Sequence, residues 1–239
     1  MSPSADPKGS GKRVAIIQSN YIPWKGYFDI INMVDEFILY DDRQYTKRDW
    51  RNRNLIKTAH GLRWLTIPVK VKGRFEQRID ETLIDDASWR DQHWRTIAQE
   101  YAGAPHFKEH RDAFGDLYAG ATFERLSDVN RHFIEGACAI LGITTRLAWS
   151  TDYEARGDRT ERLVSLCQAS GATEYLSGPA ARSYIDEALF RDAGVALTYM
   201  DYAGYPEYPQ LHGGFEHGVS ILDLIFNAGP DATRYMLSF

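Results

Sequence analysis

The stretch VAIIQSNYIPWKGYFDIINMVDEFILYDD, residues 14–42, decides the fold class. It begins with the apolar run Val14–Ile17, which predicts a buried strand. The segment Trp24–Val34 then carries Tyr27, Phe28, Ile31 and Val34 at helical spacing, and Glu36–Tyr40 is a second apolar run that ends on two aspartates. A strand, a short helix and a strand in so short a segment predict a βαβ unit, and therefore a parallel sheet.

The rest of the chain extends this pattern in both directions. The segments Asn54–Thr58 and Leu62–Val69 flank the turn Ala59-His60-Gly61 and predict a β-hairpin, in which Pro68 indicates an edge strand. Further helices are predicted at Trp89–Tyr101, from Pro105, at Ser127–Leu141 with Ser127 as N-cap, and at Arg159–Ala169, Pro179–Ala193 and Val219–Phe226. Further strands are predicted at Thr145–Ser150, Glu174–Ser177 and Val195–Tyr202. We therefore expect an α/β fold, with a mostly parallel Rossmann-like sheet flanked by helices, a β-hairpin and a helical insert at about residues 85–142.

The domain organisation and the compartment follow from composition. Residues 1–12 are small and polar, so we expect a disordered lead-in followed by a single domain over residues 13–239. No apolar run approaches the roughly 18 residues that mark a membrane span. The two cysteines, Cys138 and Cys167, lie in apolar helical segments, which indicates free core thiols and a reducing compartment. We expect a cytoplasmic protein that has no membrane partner.

The charge pattern indicates what kind of ligand to expect. The formal net charge is −5, so the chain has no overall basic character and nucleic acid is not an expected partner. Residues 47–53 nevertheless contain Lys47, Arg48, Arg51 and Arg53. An arginine matches phosphate or carboxylate through two parallel hydrogen bonds, so this segment predicts a small-molecule substrate that carries one of those groups. The alternative is a solvated loop whose arginines pair with its aspartates, although Tyr45 and Trp50 also offer stacking faces there.

Polar residues follow both predicted N-terminal strands. Ligands of open α/β sheets bind beyond the carboxyl ends of strands, and residues 18–28 combine polar and aromatic side chains at such a place. A loop that only packs its aromatic rings is the alternative. Asp41 and Asp42 end the second strand, where adjacent carboxylates can bind sugar hydroxyls or a divalent metal, or act as a general base.

Three later segments are weaker candidates. Ser177 and Arg182 flank a Gly-Pro turn after a strand, and in a parallel sheet this loop opens at the same edge, although helix capping and packing explain these residues equally well. The stretch Tyr202–Gln210 predicts either an aromatic lid or an ordinary packed connection. His212 and His217 lie in a glycine-rich loop from which they could reach the site.

The predicted site has two groups of residues. The predicted catalytic residues are Gln18, Tyr21, Asp41 and Asp42. The predicted substrate-binding residues are Asn20, Lys25, Tyr27, Gln44, Lys47, Arg48, Trp50, Arg51, Asn52, Arg53, Ser177, Arg182 and Tyr205. No metal ligand is predicted, and the cofactor is left unknown because no metal or cofactor motif is present.

Several longer strings resemble one protein family. IIQSNYIPWKGYFDIIN, DDRQYTKRDWRNRNLIKT and WLTIPVK are similar to the opening signature of WbqC-like proteins, and YLSGPAARSYID and SILDLIFNAG to their C-terminal pattern. One departure is Ser19, where the family pattern has proline. The resemblance implies an enzyme that works on activated sugars, amino sugars or acyl carriers, because WbqC-like proteins are associated with clusters for surface glycans and natural products.

Three functions follow from these observations. The leading hypothesis is a transferase acting on a nucleotide-linked or carrier-linked donor in surface-glycan or natural-product biosynthesis. In it, Arg48, Arg51 and Arg53 hold phosphate, and Asp41 or Asp42 acts as a base or binds a hydroxyl. The second is an amide-forming acyl or aminoacyl transferase that uses the thioester of an acyl carrier protein. The third is a non-enzymatic binding protein of the same pathway.

Overall fold

The computed structural model describes residues 11–239. Residues 1–10 of the predicted disordered lead-in lie outside that range. The chain divides into two compact units. We call residues 11–17, 30–40 and 145–201 the sheet unit, and residues 18–29, 41–144 and 202–239 the helix–hairpin unit. The single domain over residues 13–239 stays a prediction.

The described residues form seven strands and seven α-helices. The strands are β1 (Arg13–Ile17), β2 (Glu36–Leu39), β3 (Arg53–Thr58), β4 (Gly61–Thr66), β5 (Arg146–Trp149), β6 (Glu174–Ser177) and β7 (Ala196–Tyr199). The helices are α1 (Lys25–Asn32), α2 (Trp89–Glu100), α3 (Phe107–Gly120), α4 (Leu126–Leu141), α5 (Arg159–Ala169), α6 (Glu187–Asp192) and α7 (Ile221–Ala228). Short 3-10 helices occupy Ile79–Glu81, Ser150–Asp152, Pro179–Ser183 and Gly229–Tyr235. No described helix has the length and apolar character needed to cross a membrane.

The sheet unit contains a five-stranded parallel sheet in the order β5-β2-β1-β6-β7. The order runs outward from β1 in both directions, which is the arrangement of a doubly wound, Rossmann-like sheet. The predicted fold class is therefore confirmed. Because all strands point the same way, β1, β2 and β6 end at one edge of this sheet, and the strand order reverses between β1 and β6.

The core of the sheet unit explains why the central strands are apolar. Val14 and Ile16 of β1 lie in one buried cluster with Ile38 of β2 and with Leu166 of α5. A strand covered on both faces reads as a continuous apolar run, as residues 14–17 do. The ring of Tyr175 on β6 stacks on Phe190 of α6 with 5.3 Å between ring centroids.

The helix–hairpin unit holds the predicted hairpin and the helices α2, α3 and α4. Strands β3 and β4 pair antiparallel along all six residues, and Gly61 has φ +105°, which only glycine adopts readily. Strand β4 ends at Thr66, before Pro68, since proline cannot donate to the strand ladder.

Two element predictions are wrong in detail. The single helix predicted at Pro179–Ala193 is broken into a 3-10 helix and α6, because the side chain of Asp186 accepts a hydrogen bond from the backbone nitrogen of Ala188 and starts a second helix. Helix α4 begins at Leu126 with Arg125 as N-cap, so Ser127 lies inside the first turn. Ser127 is buried there.

Candidate functional site

The loop after β1 is held by a buried carboxylate. Both the backbone nitrogen and the hydroxyl of Ser19 donate to Asp41, at 2.8 and 2.6 Å. The amide of Asn130 on α4 donates to the same hydroxyl at 2.9 Å. Burial raises the pKa of Asp41, and the bonds from Ser19 work in the opposite direction. The contacts give Asp41 a structural part as an anchor of this loop, and its catalytic role stays a prediction.

Tyr21 lies in the core of the helix–hairpin unit. Its side chain is fully buried, and its hydroxyl is hydrogen-bonded to His93 Nδ1 at 2.9 Å and to the hydroxyl of Tyr118 at 2.6 Å. Burial lowers the pKa of His93 to about 4, so the imidazole is neutral near pH 7. Tyr21 therefore secures the loop to α2 and α3, and its predicted catalytic role is untested.

The next residue, Ile22, carries backbone strain. Its φ is +37°, a conformation that is uncommon for a β-branched residue. The amide of Asn54 donates to the carbonyls of Tyr21 and Ile22, at 3.0 and 2.9 Å. A strained residue persists only where its surroundings over-determine it, so the loop is held in one shape at this point.

A cavity of about 310 Å³ lies beside this loop within the helix–hairpin unit. We call it the tryptophan cavity. Its lining combines the indoles of two tryptophans with a few polar groups, from Asn20, Pro23, Trp24, Trp50, Asn54, His217 and Gly218. Small-molecule sites are mostly apolar concave pockets with a few placed polar groups, so this cavity has the composition of a ligand site.

Each of the two tryptophans of the cavity packs against further aromatic rings. The ring of Trp24 packs against Tyr202 and Tyr205, with centroids 5.0 and 5.6 Å away. The ring of Trp50 packs against Trp64 on β4 at 5.3 Å. The guanidinium of Arg53 in turn lies 4.0 Å above the ring of Trp64. Trp50, Trp64 and Arg53 thus contact one another in a row from the cavity wall to a cation.

Arg51 connects the loop of residues 41–53, which we call the cationic loop, to the cavity. Its guanidinium donates a hydrogen bond to the side-chain oxygen of Asn20, which lines the cavity, and approaches the carbonyl of Ser19 at 3.4 Å. Its ion pair with Asp49 is loose, at 3.7 Å. The side chain is 14% exposed. The predicted residues Asn20, Trp50 and Arg51 are therefore neighbours.

The other cations of the loop differ in their surroundings. Among residues 11–239, neither Lys47 nor Arg48 makes an ion pair with a carboxylate, and both are exposed. The ammonium of Lys47 lies 5.4 Å over the ring of Phe75. Arg53 donates to the carbonyl of Arg48 in addition to stacking on Trp64. The aspartates of the loop thus leave most of its positive charge unpaired.

The remaining predicted residues of this loop make local contacts. Asp42 pairs with Arg43 at 3.3 Å. The side-chain amide of Gln44 donates to the carbonyl of Phe75 at 2.9 Å, and that of Asn52 donates to the carbonyl of Ile67 at 2.8 Å. These contacts shape the loop, and a part in substrate binding for Asp42, Gln44 or Asn52 stays a prediction.

Lys25, at the start of α1, is enclosed by aromatic rings. Its side-chain nitrogen lies 4.6 Å from the ring centroid of Tyr205, 5.2 Å from that of Tyr208 and 5.8 Å from that of Phe215. It donates one hydrogen bond, to the carbonyl of Pro206 at 3.1 Å. Burial lowers the pKa of Lys25 to about 8, and the nearby carboxylate of Asp29 offsets this only in part.

The segment Tyr202–Gln210, a candidate lid, is anchored at two buried carboxylates. The hydroxyl of Tyr205 donates to Asp29 at 2.5 Å, and that of Tyr208 donates to Asp223 on α7 at 2.9 Å. Asp223 also accepts from Tyr101 at 2.8 Å. These buried bonds favour the packed connection over a mobile lid, and they place Tyr205 against Lys25.

Other predicted residues occupy different surroundings. The hydroxyl of Tyr27 donates to the backbone carbonyl of Gln18 at 3.0 Å. In the sheet unit, the buried hydroxyl of Ser177 donates to the hydroxyl of Tyr175 at 3.3 Å, and the guanidinium of Arg182 lies 4.2 Å over the ring of Tyr199. Neither Ser177 nor Arg182 is among the residues that line the tryptophan cavity.

His217 and Gly218 come to the cavity from a distant part of the chain. His217 lines the tryptophan cavity, whereas the imidazole of His212 is hydrogen-bonded to the carbonyl of Glu100 at 3.0 Å. The sequence marks both histidines only by their glycine-rich loop. The other lining residues that were not among the predicted site residues are Pro23, Trp24, Asn54 and Gly218.

The described residues offer no evident place for a metal. Within residues 11–239, no three histidine, cysteine or acidic side chains are grouped so as to hold an ion. Cys138 and Cys167 are free and buried, and burial raises the pKa of each thiol to about 12. Neither thiol is thus poised as a nucleophile.

Comparison with known proteins points to one family. The model of the WbqC-like protein family matches residues 18–235. The chain is also 56% identical over 225 residues to the uncharacterized protein Rv1507c of Mycobacterium tuberculosis, a match that covers 94% of this chain and 97% of that protein. No solved structure matches the chain.

Proposed function

Since the chain belongs to the WbqC-like protein family, we propose that it is a transferase that binds a phosphate-bearing donor at Arg51 and the tryptophan cavity. The donor is nucleotide-linked or carrier-linked, and the pathway is the assembly of a surface glycan or a natural product. One observation carries the proposal: the guanidinium of Arg51 is hydrogen-bonded to Asn20 at the cavity wall and is only loosely paired with a carboxylate.

The charges around Arg51 support an anionic ligand. A guanidinium binds phosphate in a planar, two-point geometry, and the partly exposed Arg51 side chain leaves donors available for it. Lys47 and Arg48 are exposed in the same loop and make no ion pair with a described carboxylate. They would add a field that attracts an anion without holding it in one orientation.

A transferase of this kind also needs a group that takes up a proton. His217 lines the cavity, and an imidazole can accept a proton from an acceptor hydroxyl or amine near neutral pH. Asp42 is the other candidate, paired with Arg43 at 3.3 Å. Since the hydroxyl of Tyr21 and the carboxylate of Asp41 are buried in structural contacts, we assign proton transfer to His217.

A thermal-shift screen tests the proposal. Purified protein is incubated with nucleotides, nucleotide sugars and acyl thioesters of coenzyme A, as wild type, Arg51→Ala and the control Arg95→Ala, which removes an exposed helical arginine. A ligand at 100 times its Kd adds about 2.7 kcal/mol. A shift in wild type and Arg95→Ala that is lost in Arg51→Ala supports the proposal. A shift that Arg51→Ala retains would contradict it.

A second candidate function has support from one surface. Leu62 and Trp64 on β4 are 47% and 41% exposed, and the unpaired cations Lys47 and Arg48 lie in the preceding loop. An apolar face beside positive charge suits an acidic carrier protein that delivers a thioester, as an amide-forming acyl transferase requires. Binding of a holo acyl carrier protein that falls steeply with salt, and that Trp64→Ala weakens, would favour this candidate.

A further inference from the structure

We propose that the tryptophan cavity binds a planar nucleobase, stacked between Trp24 and Trp50, so that the donor is a nucleotide. This inference rests on the proposed function and deepens it, because it selects the nucleotide-linked donor over the carrier-linked one.

The size of the cavity suits one ring system. Its volume of about 310 Å³ lies at the lower end of the roughly 300–1,000 Å³ of small-molecule sites. A whole nucleotide sugar would not fit in that space, whereas a base would, with its sugar and phosphates outside. Arg51 is hydrogen-bonded to Asn20, which lines the cavity. A phosphate bound by Arg51 would therefore lie next to the cavity wall.

The two walls are rigid aromatic surfaces. Tyr202 and Tyr205 pack behind Trp24, and Gly26 lies so close that a Cβ there would be 2.4 Å from the Trp24 ring. Trp50 is supported by Trp64. Preformed indole faces stack a base without first losing conformational freedom, and any base offers such a face.

Trp64 and Arg53 support the ring of Trp50. Arg53 places its guanidinium 4.0 Å above Trp64, and Trp64 lies 5.3 Å from Trp50. The guanidinium attracts the face of Trp64 and so helps to fix the ring against which Trp50 packs. Trp50, which is 42% exposed, therefore packs against a ring that is itself in contact with a cation.

Two polar groups are available to the edge of a base. Within the described range 11–239, no group hydrogen-bonds to the amide nitrogen of Asn20, whose oxygen accepts from Arg51, and none to the imidazole of His217. A nucleobase presents donors and acceptors at its edge and could pair with both. The pantetheine arm of a carrier-linked donor also has amide groups, but it has no planar ring that could stack on the indoles at the same time.

The test uses free nucleosides, which carry no phosphate and so do not depend on Arg51. Calorimetric titration of adenosine, guanosine, cytidine and uridine is performed on wild type, Trp50→Leu and Phe123→Leu. Phe123 is the matched control because it is also 42% exposed and lies outside the tryptophan cavity. We expect at least one nucleoside to bind, with affinity about tenfold lower in Trp50→Leu and unchanged in Phe123→Leu.

Inorganic pyrophosphate and S-acetyl-pantetheine separate the remaining outcomes. If no nucleoside binds while pyrophosphate binds in an Arg51-dependent manner, the nucleobase inference falls and the phosphate site stands. If S-acetyl-pantetheine binds in a Trp50-dependent manner and nucleosides do not, the occupant is the arm of a carrier and the inference is overturned. If pyrophosphate also fails to bind, the proposed function fails as well.

Discussion

The guanidinium of Arg51 donates a hydrogen bond to the side-chain oxygen of Asn20, and this bond connects the cationic loop to the wall of the tryptophan cavity. Two segments that follow different strands of the parallel sheet thus meet in the helix–hairpin unit. The relationship gives the proposed site its layout, with an apolar part for a ring and an adjacent arginine for a charge.

Asn20→Asp tests this relationship. A carboxylate in place of the amide would form a close ion pair with Arg51 and compete with a ligand anion. We expect pyrophosphate affinity to fall at least tenfold with an unchanged or raised melting temperature. Asn20→Ala is the control, since it removes the oxygen without adding charge and should cost less affinity. Equal pyrophosphate affinity in wild type and Asn20→Asp would exclude Arg51 as the phosphate ligand.

Asp41→Ala is expected to destabilise the fold. It leaves the buried nitrogen and hydroxyl of Ser19 without their acceptor, and each such loss costs about 1–3 kcal/mol. The exposed Asp86 offers a matched control, because Ser88 donates to it through the same two atoms, at 2.8 and 2.7 Å. Urea denaturation should show a large loss for Asp41→Ala and a much smaller one for Asp86→Ala. Equal losses would mean that burial of the Asp41 contact contributes nothing.

Gly26→Ala is expected to displace Trp24. A Cβ at position 26 would lie 2.4 Å from the Trp24 ring, so the ring must move. Nucleoside affinity should then fall while pyrophosphate affinity is retained. The control is Gly178→Ala, which meets no atom within 4 Å. Unchanged nucleoside affinity in Gly26→Ala would show that the position of Trp24 does not matter for binding.

Lys25→Met is expected to change the pH dependence of stability. Burial lowers the pKa of Lys25 from 10.5 to about 8, so between those pH values the unfolded chain binds more protons than the folded one. The contribution of this group to the free energy of unfolding is therefore smallest below pH 8 and rises as pH approaches 10.5.

Lys25→Met has no ammonium, so it lacks the unfavourable free energy of burying a charged one. Its stability advantage over wild type should be largest at pH 7 and shrink toward pH 10, as measured by urea denaturation at several pH values. Lys108→Met, at an exposed helical lysine, serves as the control and should show no such trend. A difference between wild type and Lys25→Met that does not vary with pH would contradict the enclosed, desolvated ammonium.

The sequence predicted the sheet better than the surroundings of the site. The apolar run Val14–Ile17 and the segment Glu174–Ser177 were sufficient for parallel strands, because burial on both faces leaves a local signal. The break in the helix at Asp186 was not predicted. The apolar spacing on both sides of Asp186 favours one continuous helix, whereas its side chain caps a new one, and the sequence does not show which effect is stronger.

Within the site, the sequence predicted Asn20, Trp50 and Arg51 as binding residues, because polar and aromatic residues after strand ends indicate a ligand site. It could not show that Tyr21 points into a core made by α2 and α3, nor that His217 lines the cavity. Both depend on packing between residues far apart in the chain, which no short pattern encodes.

The affinity of a nucleoside 5′-diphosphate for wild type and Arg51→Ala tests directly whether Arg51 binds the phosphate of a donor. Calorimetric titration is run at fixed ionic strength, with Arg95→Ala as the control for the loss of one positive charge. We expect binding by wild type and Arg95→Ala, and affinity at least tenfold weaker in Arg51→Ala. Equal affinity in wild type and Arg51→Ala, or no binding by any of the three proteins, would contradict it.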